Sequence, residues 1–224
     1  MQPSRVIQAD FDRLASVSDD GWSHNSHYHA YLLRHLPLHF EASLDIGCGS
    51  GAFARFLAQR ATHVLALDLS PEMIRVAQDR SADCPNTTYQ VADVLAWDWP
   101  AGRFDCVASI ATFHHLPMEP MLAAIKAALK PGGVLIILDL YEAQGSRESY
   151  DAGLAIIGSL ALRLLHNGRI RESEAARQAW AAHGAHDVYL RLSQVREICS
   201  RILPGAIVTR HLFWRYSIVW HKPR

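Results

Sequence analysis

The side chains in this chain that could do chemistry gather in two histidine-bearing stretches and one glycine-rich loop. His114 and His115 close the run Ile110-Ala111-Thr112-Phe113-His114-His115. An imidazole titrates near neutrality, so either ring could serve as a general base or orient a polar substrate. The second stretch, Trp22–His29, holds Trp22, His24, Asn25, His27, Tyr28 and His29. Histidines at i, i+3 and i+5 raise metal ligation, but that spacing does not set all three on one helix face. No carboxylate or thiolate cluster beside them completes a ligand set, so no metal is expected. His24 and Tyr28 join His114 and His115 as catalytic candidates. Tyr28 is also read as a side chain lying over a bound cofactor, and Tyr141 ranks behind these.

The loop is Leu44-Asp45-Ile46-Gly47-Cys48-Gly49-Ser50-Gly51-Ala52, an apolar run ending in an acid and three alternating glycines. Such a loop lets a nucleotide-like cofactor lie against the backbone. Gly47-x-Gly49-x-Gly51 is the pattern of S-adenosylmethionine (SAM) loops, while Gly47-x-Gly49-x-x-Ala52 also satisfies a dinucleotide fingerprint. Three acids bear on the choice. A carboxylate at Asp45 can reach the cationic amino group of a methionine moiety, or order the loop through backbone N–H groups; beside a pyrophosphate it would be repulsive. Asp68 can accept both ribose hydroxyls, which suits either cofactor. Asp93 can accept from an adenine amine.

Positioning these groups requires alternating strands and helices. Strands are expected at Ser43–Ile46, Val64–Leu67, Thr87–Val91, Phe104–Ile110 and Val134–Leu140. The last is almost wholly apolar, as a strand covered on both faces should be. Ser70-Pro71-Glu72 has the grammar of a helix start. Glu119–Lys130 reads as a helix stopped by Pro131 and Gly132. Repeated strand–helix units imply a parallel sheet with helices on both sides. Glu142–Leu190 carries helical stretches without a comparable strand and reads as a lid. A final helix follows, and Ala206–His221 fits a closing antiparallel hairpin turning at Leu212–Arg215.

Six ordered stretches now resemble a known family: Leu44–Gly51, Leu67–Met73, Ala92-Asp93, Phe104–Ser109, His114-His115-Leu116 and Leu129–Gly133 are similar to the motifs of class I SAM-dependent methyltransferases. The resemblance implies an α/β, Rossmann-like, doubly wound sheet of seven strands in the order 3-2-1-4-5-7-6, with only the last antiparallel. It places SAM over the carboxyl ends of strands one, two and four. The residues implied to hold it are Asp45, Gly47, Cys48, Gly49, Gly51, Asp68, Leu69, Met73, Asp93, Val94, Ser109, Ile110 and Ala111, with Tyr28 above. The organisation expected is a helical cap at 1–40, a SAM-binding core at 41–141, a helical lid insertion at 142–190, and a final helix and hairpin at 191–224.

Composition narrows the partner. The chain has 224 residues, half of them hydrophobic, and 22 basic against 22 acidic residues. Without a basic block, nucleic acid is not expected as a partner. Four scattered cysteines form no CxxC, which fits a reduced, cytoplasmic protein. The least polar long stretch, Leu154–Leu165, contains Arg163 and falls short of the roughly 20 residues of a membrane-spanning helix. The region after the fourth strand has neither an Asn/Asp-Pro-Pro-aromatic motif nor an acid cluster. A small organic methyl acceptor is therefore expected, in a monomer or homodimer. Leu154, Ile156, Ile157 and Leu160 could line its pocket or pack the lid, and packing is the preferred reading for most of them. A SAM-binding module without catalysis, non-methyl chemistry on the same fold and a nicotinamide dehydrogenase are the alternatives.

Overall fold

The computed structural model describes residues 4–17, 21–143, 146–171, 173–184 and 187–224, without the side chains of 146–152 and 154. Helix α1 (Ser4–Ala15) and a short α2 (His29–Leu33) precede the sheet. Then β1 (Phe40–Ile46), α3 (Ala52–Ala58), β2 (Ala61–Asp68), α4 (Pro71–Asp79), β3 (Thr87–Val91) and β4 (Phe104–Ile110) alternate. After them come α5 (Met118–Ala128), β5 (Leu129–Leu140), α6 (Ser146–Asn167), α7 (Glu174–Gly184), α8 (Leu192–Ile202), β6 (Ile207–Arg210) and β7 (Arg215–His221).

The seven strands form one sheet in the order β3-β2-β1-β4-β5-β7-β6, and β7 runs antiparallel to both neighbours. Side chains alternate across the pleat, so each central strand feeds two cores. Leu44, Ile46, Val107, Leu135 and Ile137 join residues of α5 and α8 on one face. Cys106, Ala108, Val134, Ile136 and Leu138 join Phe53, Leu57 and Ile74 on the other. Ser70 caps α4 as its sequence predicts, its Oγ accepting the Met73 N–H at 3.0 Å with Pro71 next to it.

The strands β1 and β2 each begin three residues before the sequence reading places them, and the largest departure lies at β5. The helix expected to end at Lys130 ends at Ala128, and the strand expected from Val134 begins at Leu129. Pro131 pushes the residue before it toward extended backbone. Leu129 then pairs with Phe104, and the register shifts before Cys106 pairs with Val134. The Lys-Pro-Gly-Gly segment is thus an irregular start to the strand and not a turn before it.

The closing hairpin turns through Phe213 and Trp214 at φ 59° and 55°, unusual values for bulky residues. Among the described residues, no helix is long and apolar enough to cross a membrane.

Candidate active site

The carboxyl ends of β1, β2 and β4 lie side by side, because Ile46 pairs with Leu67 on one flank and Ser109 on the other. A cavity of about 270 Å³ opens there. Asp45 borders it from the end of β1, Gly47, Cys48 and Gly49 from the loop that follows, Asp68 and Leu69 from the end of β2 and just past it, and Asp93 and Val94 from the segment after β3. Ile110, Ala111, Thr112 and His115 border it from β4 and the turn that follows. Ile7 and Phe11 of α1 and the cap residues Asn25 and His29 complete much of the remaining surface.

The loop after β1 is tied to β2. The N–H groups of Gly47 and Cys48 both donate to the Leu67 carbonyl, at 2.8 and 3.0 Å. Asp68 braces the same loop: its Oδ2 accepts the Gly49 N–H at 2.8 Å and its Oδ1 accepts the Ser70 N–H at 2.9 Å. One carboxylate therefore joins the glycine turn to the start of α4 and keeps acceptor capacity for a ligand hydroxyl. Burial raises the Asp68 pKa, against the opposing pull of these N–H donors. Asp93 Oδ1 accepts the Leu95 N–H at 2.9 Å, which orders the segment after β3.

Among the described residues, Asp45 has less support, from the Ala54 N–H alone. Burial, and then the neighbouring charge of Asp68, push its carboxyl up to about 7. Its Oδ2 is buried without a hydrogen-bond partner among the described residues. A carboxylate in that state is unfavourable until a cationic donor reaches it. A buried carboxylate with one unpartnered oxygen beside a cavity is a receptor for a cationic donor.

Past His115 lies a buried polar cluster. His114 Nδ1 is 2.6 Å from Asp139 Oδ1, and the His114 backbone N–H donates to Asp139 Oδ2 at 2.8 Å. Asp139, near the end of β5, is fully buried. The His114 and His115 rings are 4.0 Å apart between centroids. Burial lowers the His114 pKa, but the Asp139 and Asp187 carboxylates outweigh it and the net shift is upward. Burial and the adjacent His114 push His115 down to about 4.

The family model described as a methyltransferase domain matches residues 44–133. An uncharacterized methyltransferase of Mycobacterium tuberculosis is 30% identical over 207 residues, spanning 92% of this chain and 99% of that protein. The chain belongs to the class I SAM-dependent methyltransferases. A ubiquinone biosynthesis O-methyltransferase of Xylella fastidiosa is 30% identical over 202 residues, covering 80% of this methyltransferase and 78% of the relative. Among solved structures, the N-methyltransferase NodS of Bradyrhizobium japonicum, in complex with S-adenosylhomocysteine, aligns with a TM-score of 0.65 at 19% identity, over 97% of this chain and 98% of its own. A Haemonchus contortus phosphoethanolamine N-methyltransferase in complex with SAM aligns with a TM-score of 0.69 at 18% identity, over 100% of this chain. This chain spans only 61% of that protein.

Not every side chain singled out from the sequence of this methyltransferase borders the cavity. Gly51 is instead the residue before α3, at φ 78°. Met73 packs with Leu14 and Val76 beneath α1. Ser109 is buried and donates to the Ile46 carbonyl at 3.0 Å. His114 is turned to Asp139 and stands behind His115. His24 stacks flat on Phe213, 4.7 Å between centroids, and its Nε2 lies 2.9 Å from Ser159 Oγ. Tyr28 donates its hydroxyl to the Leu212 carbonyl at 3.0 Å. Burial pushes His24 down to about 4 and the Tyr28 phenol up to about 12. Both rings pack against the closing hairpin, which draws them away from the cavity. Tyr141 is buried in the core, within 3.4 Å of Arg210 Nη1.

Ile156 and Leu160 border a separate cavity of about 220 Å³ with Arg163 and Arg171, and Ile157 is 68% exposed. The side chain of Leu154 lies outside the described residues. Sequence reading missed Ile7, Phe11, Thr112 and Asp139. The i, i+4, i+7 spacing of Ile7, Phe11 and Leu14 is an amphipathic signal that would have placed α1 over the sheet. A lone acid near the end of an apolar strand would have marked Asp139.

Proposed function

We propose that this methyltransferase moves the methyl group of SAM to a small organic acceptor held in the 270 Å³ cavity. One observation carries the reading: the cavity that holds the orphaned Asp45 and the N–H-braced Asp68 is also bordered by His115, Phe11 and Ile7. When bound, SAM supplies an electrophilic methyl on a sulfonium whose leaving group is neutral. What remains for the protein is to bind, align and exclude water. Asp45 is assigned the amino group, Asp68 the ribose hydroxyls and Asp93 the adenine amine. Gly47 and Gly49 allow the close backbone approach.

Acceptor alignment falls to His115, the only one of the four catalytic candidates that borders the cavity. Ile7 and Phe11 supply apolar cover. The balance of 22 basic and 22 acidic residues supports a small molecule over a polyanion. The relative named as a ubiquinone biosynthesis O-methyltransferase supports an organic hydroxyl as the methyl-receiving group.

Thermal unfolding tests the cofactor half. SAM and S-adenosylhomocysteine are expected to raise the Tm, by about 2.7 kcal/mol of stabilisation at a hundredfold excess over Kd, while NADH leaves it unchanged. Stabilisation by NADH alone would overturn the reading. His115→Ala tests the acceptor half. Turnover of hydroxylated aromatic acceptors, followed by radiolabelled methyl transfer, should fall about a hundredfold with SAM affinity kept within twofold. Equal turnover would remove His115 from the site.

A further inference from the structure

His114, His115, His183 and Asp187 each offer a ligand atom, and the four atoms lie within 4.8 Å of one another. We infer that these residues form a binding site for a zinc-type divalent metal, which staples α1, the turn after β4 and α7 together beside the cavity.

The contacts inside the cluster are too long for hydrogen bonds. His114 Nε2 is 3.8 Å and His183 Nε2 3.9 Å from Asp187 Oδ2, and His115 Nδ1 is 3.7 Å from Asp187 Oδ1. Two donors on one tetrahedral zinc, each about 2.1 Å from the metal, stand about 3.4 Å apart. With the four ligand atoms spread over as much as 4.8 Å, the widest pair needs to draw in by about 1.4 Å, and the contacts to Asp187 by a few tenths. The side chains of His114, His183 and Asp187 are 5%, 4% and 3% exposed. Asp187 Oδ1 is buried without a hydrogen-bond partner among the described residues, and so is His115 Nε2. Two polar atoms of this cluster are thus held in a dry place without a partner, which is costly unless something binds there.

The surroundings also match a metal site. A ligating imidazole ordinarily gives its other N–H to a carboxylate, which fixes the tautomer and aims the free nitrogen at the metal. His114 does this, with Nδ1 at 2.6 Å from Asp139. His183 does it too, with Nδ1 at 3.4 Å from Asp10 Oδ2. Both rings thereby present Nε2 to Asp187. The Tyr189 hydroxyl donates to Asp187 Oδ2 at 2.9 Å and orients the carboxylate, leaving Oδ1 unpartnered among the described residues. Three imidazoles and one carboxylate suit zinc, cobalt or nickel, whereas magnesium and calcium take oxygen donors. The ligands come from two distant stretches of sequence, and Asp10 belongs to a third. Phe11 seals the site, its ring 4.8 Å from His183 and 5.9 Å from His115. Of the four ligands only His115 also borders the cavity, so the metal would hold α1 and α7 beside it without occupying it.

The test uses the full chain, stripped with a chelator and reloaded. Zinc is expected to bind at one ion per chain and to raise the Tm. Cobalt(II) is expected to give the intense visible absorption of a tetrahedral ion. His183→Gln and Asp187→Asn should each weaken zinc binding at least about a hundredfold, and Asp10→Asn by about ten- to a hundredfold. SAM affinity, measured on the same samples, reports folding, because none of these three residues borders the cavity. Cobalt absorption and zinc content are read without SAM, so failure of the cofactor reading and failure of this one are distinguishable. Absence of stoichiometric zinc on the wild-type chain, an octahedral cobalt spectrum, or undiminished zinc in a folded His183→Gln or Asp187→Asn variant would overturn the proposal.

Discussion

Asp45→Asn is expected to move two measurements in opposite directions: the Tm of the free protein rises, and SAM affinity falls about a hundredfold. Asp45 is 1% exposed, with one oxygen unpartnered among the described residues. The titratable groups around it are Asp68, Cys48, Cys106 and Tyr89, none of them a cation. The Ala54 N–H is its one opposing influence. An asparagine keeps the shape and an oxygen for that N–H, and removes the buried charge beside Asp68. The free protein should gain about 2 kcal/mol, or about 4–8 °C in Tm. SAM loses a charge-assisted contact in a dry site, and 2–5 kcal/mol is usual for truncating one partner of such a pair. A fall in both Tm and affinity would show that Asp45 is needed for the loop itself and not for the ligand.

The same residue sets a pH dependence. Its carboxyl lies at about 7 in the folded chain and in the ordinary range near 4 when unfolded. The folded state therefore holds a proton that the unfolded state releases between those values. Its contribution to stability is full below about pH 4, declines as pH rises and flattens above about pH 7, by up to roughly 4 kcal/mol. A bound ammonium requires the ionised form, so SAM affinity should run the other way. Calorimetry at pH 6 should give a Kd about tenfold weaker than at pH 8, with proton release on binding below pH 7. In Asp45→Asn both dependences should vanish. Affinity independent of pH in the wild-type protein would separate Asp45 from the ligand.

The sheet and the cofactor end of the cavity were legible because their signals are local. Apolar runs bounded by Pro, Gly and capping residues place β3 and β4 at their observed ends, and each acid at a strand end is read where it stands. Asp45, Asp68 and Asp93 owe their position to the strand before them and little else. The acceptor side had no such support. Trp22–His29 looked rich in chemistry, yet His24 and Tyr28 are claimed by a hairpin at the far end of the chain. Phe213 and Leu212 take their places there through a turn whose positive φ values no local pattern announces. His183 and Asp187 read as ordinary members of a polar helix and its exit. Only the packing of α7 on α1 brings them to His115, and contacts of that range leave no periodicity to detect. Asp139 was hidden for a different reason: its strand reads as buried, and one acid in an apolar run looks like an exception and not a ligand.

Gly47→Ala is expected to be among the most damaging small substitutions in the chain, lowering Tm by about 4–20 °C. Gly47 sits at φ 68°, and an added Cβ would stand 2.1 Å from Thr112 Oγ1, 2.5 Å from its Cγ2 and 2.8 Å from its Cβ. The left-handed backbone costs a side chain about 1–2 kcal/mol, and the overlap adds about 1–3 kcal/mol as overpacking. Thr112 has no easy retreat. Its Oγ1 lies 3.2 Å from the Ile110 carbonyl, and rotation would bring Cγ2 into the same space. Pairing Gly47→Ala with Thr112→Gly should recover the steric part and leave the backbone part, so the two losses should fall short of adding. Gly49→Ala is the control. At φ 52° it carries similar backbone strain, but its Cβ would meet nothing within 4 Å, and the residue borders the cavity. Its Tm should drop only about 2–8 °C, while SAM affinity falls tenfold or more because the methyl intrudes where the cofactor approaches. A Gly49→Ala protein that binds SAM like wild type would mean that this glycine serves the turn alone. A Gly47→Ala protein of normal Tm would mean that Thr112 can leave the loop, and that the contact between the β1 loop and the β4 turn does not hold the cavity open.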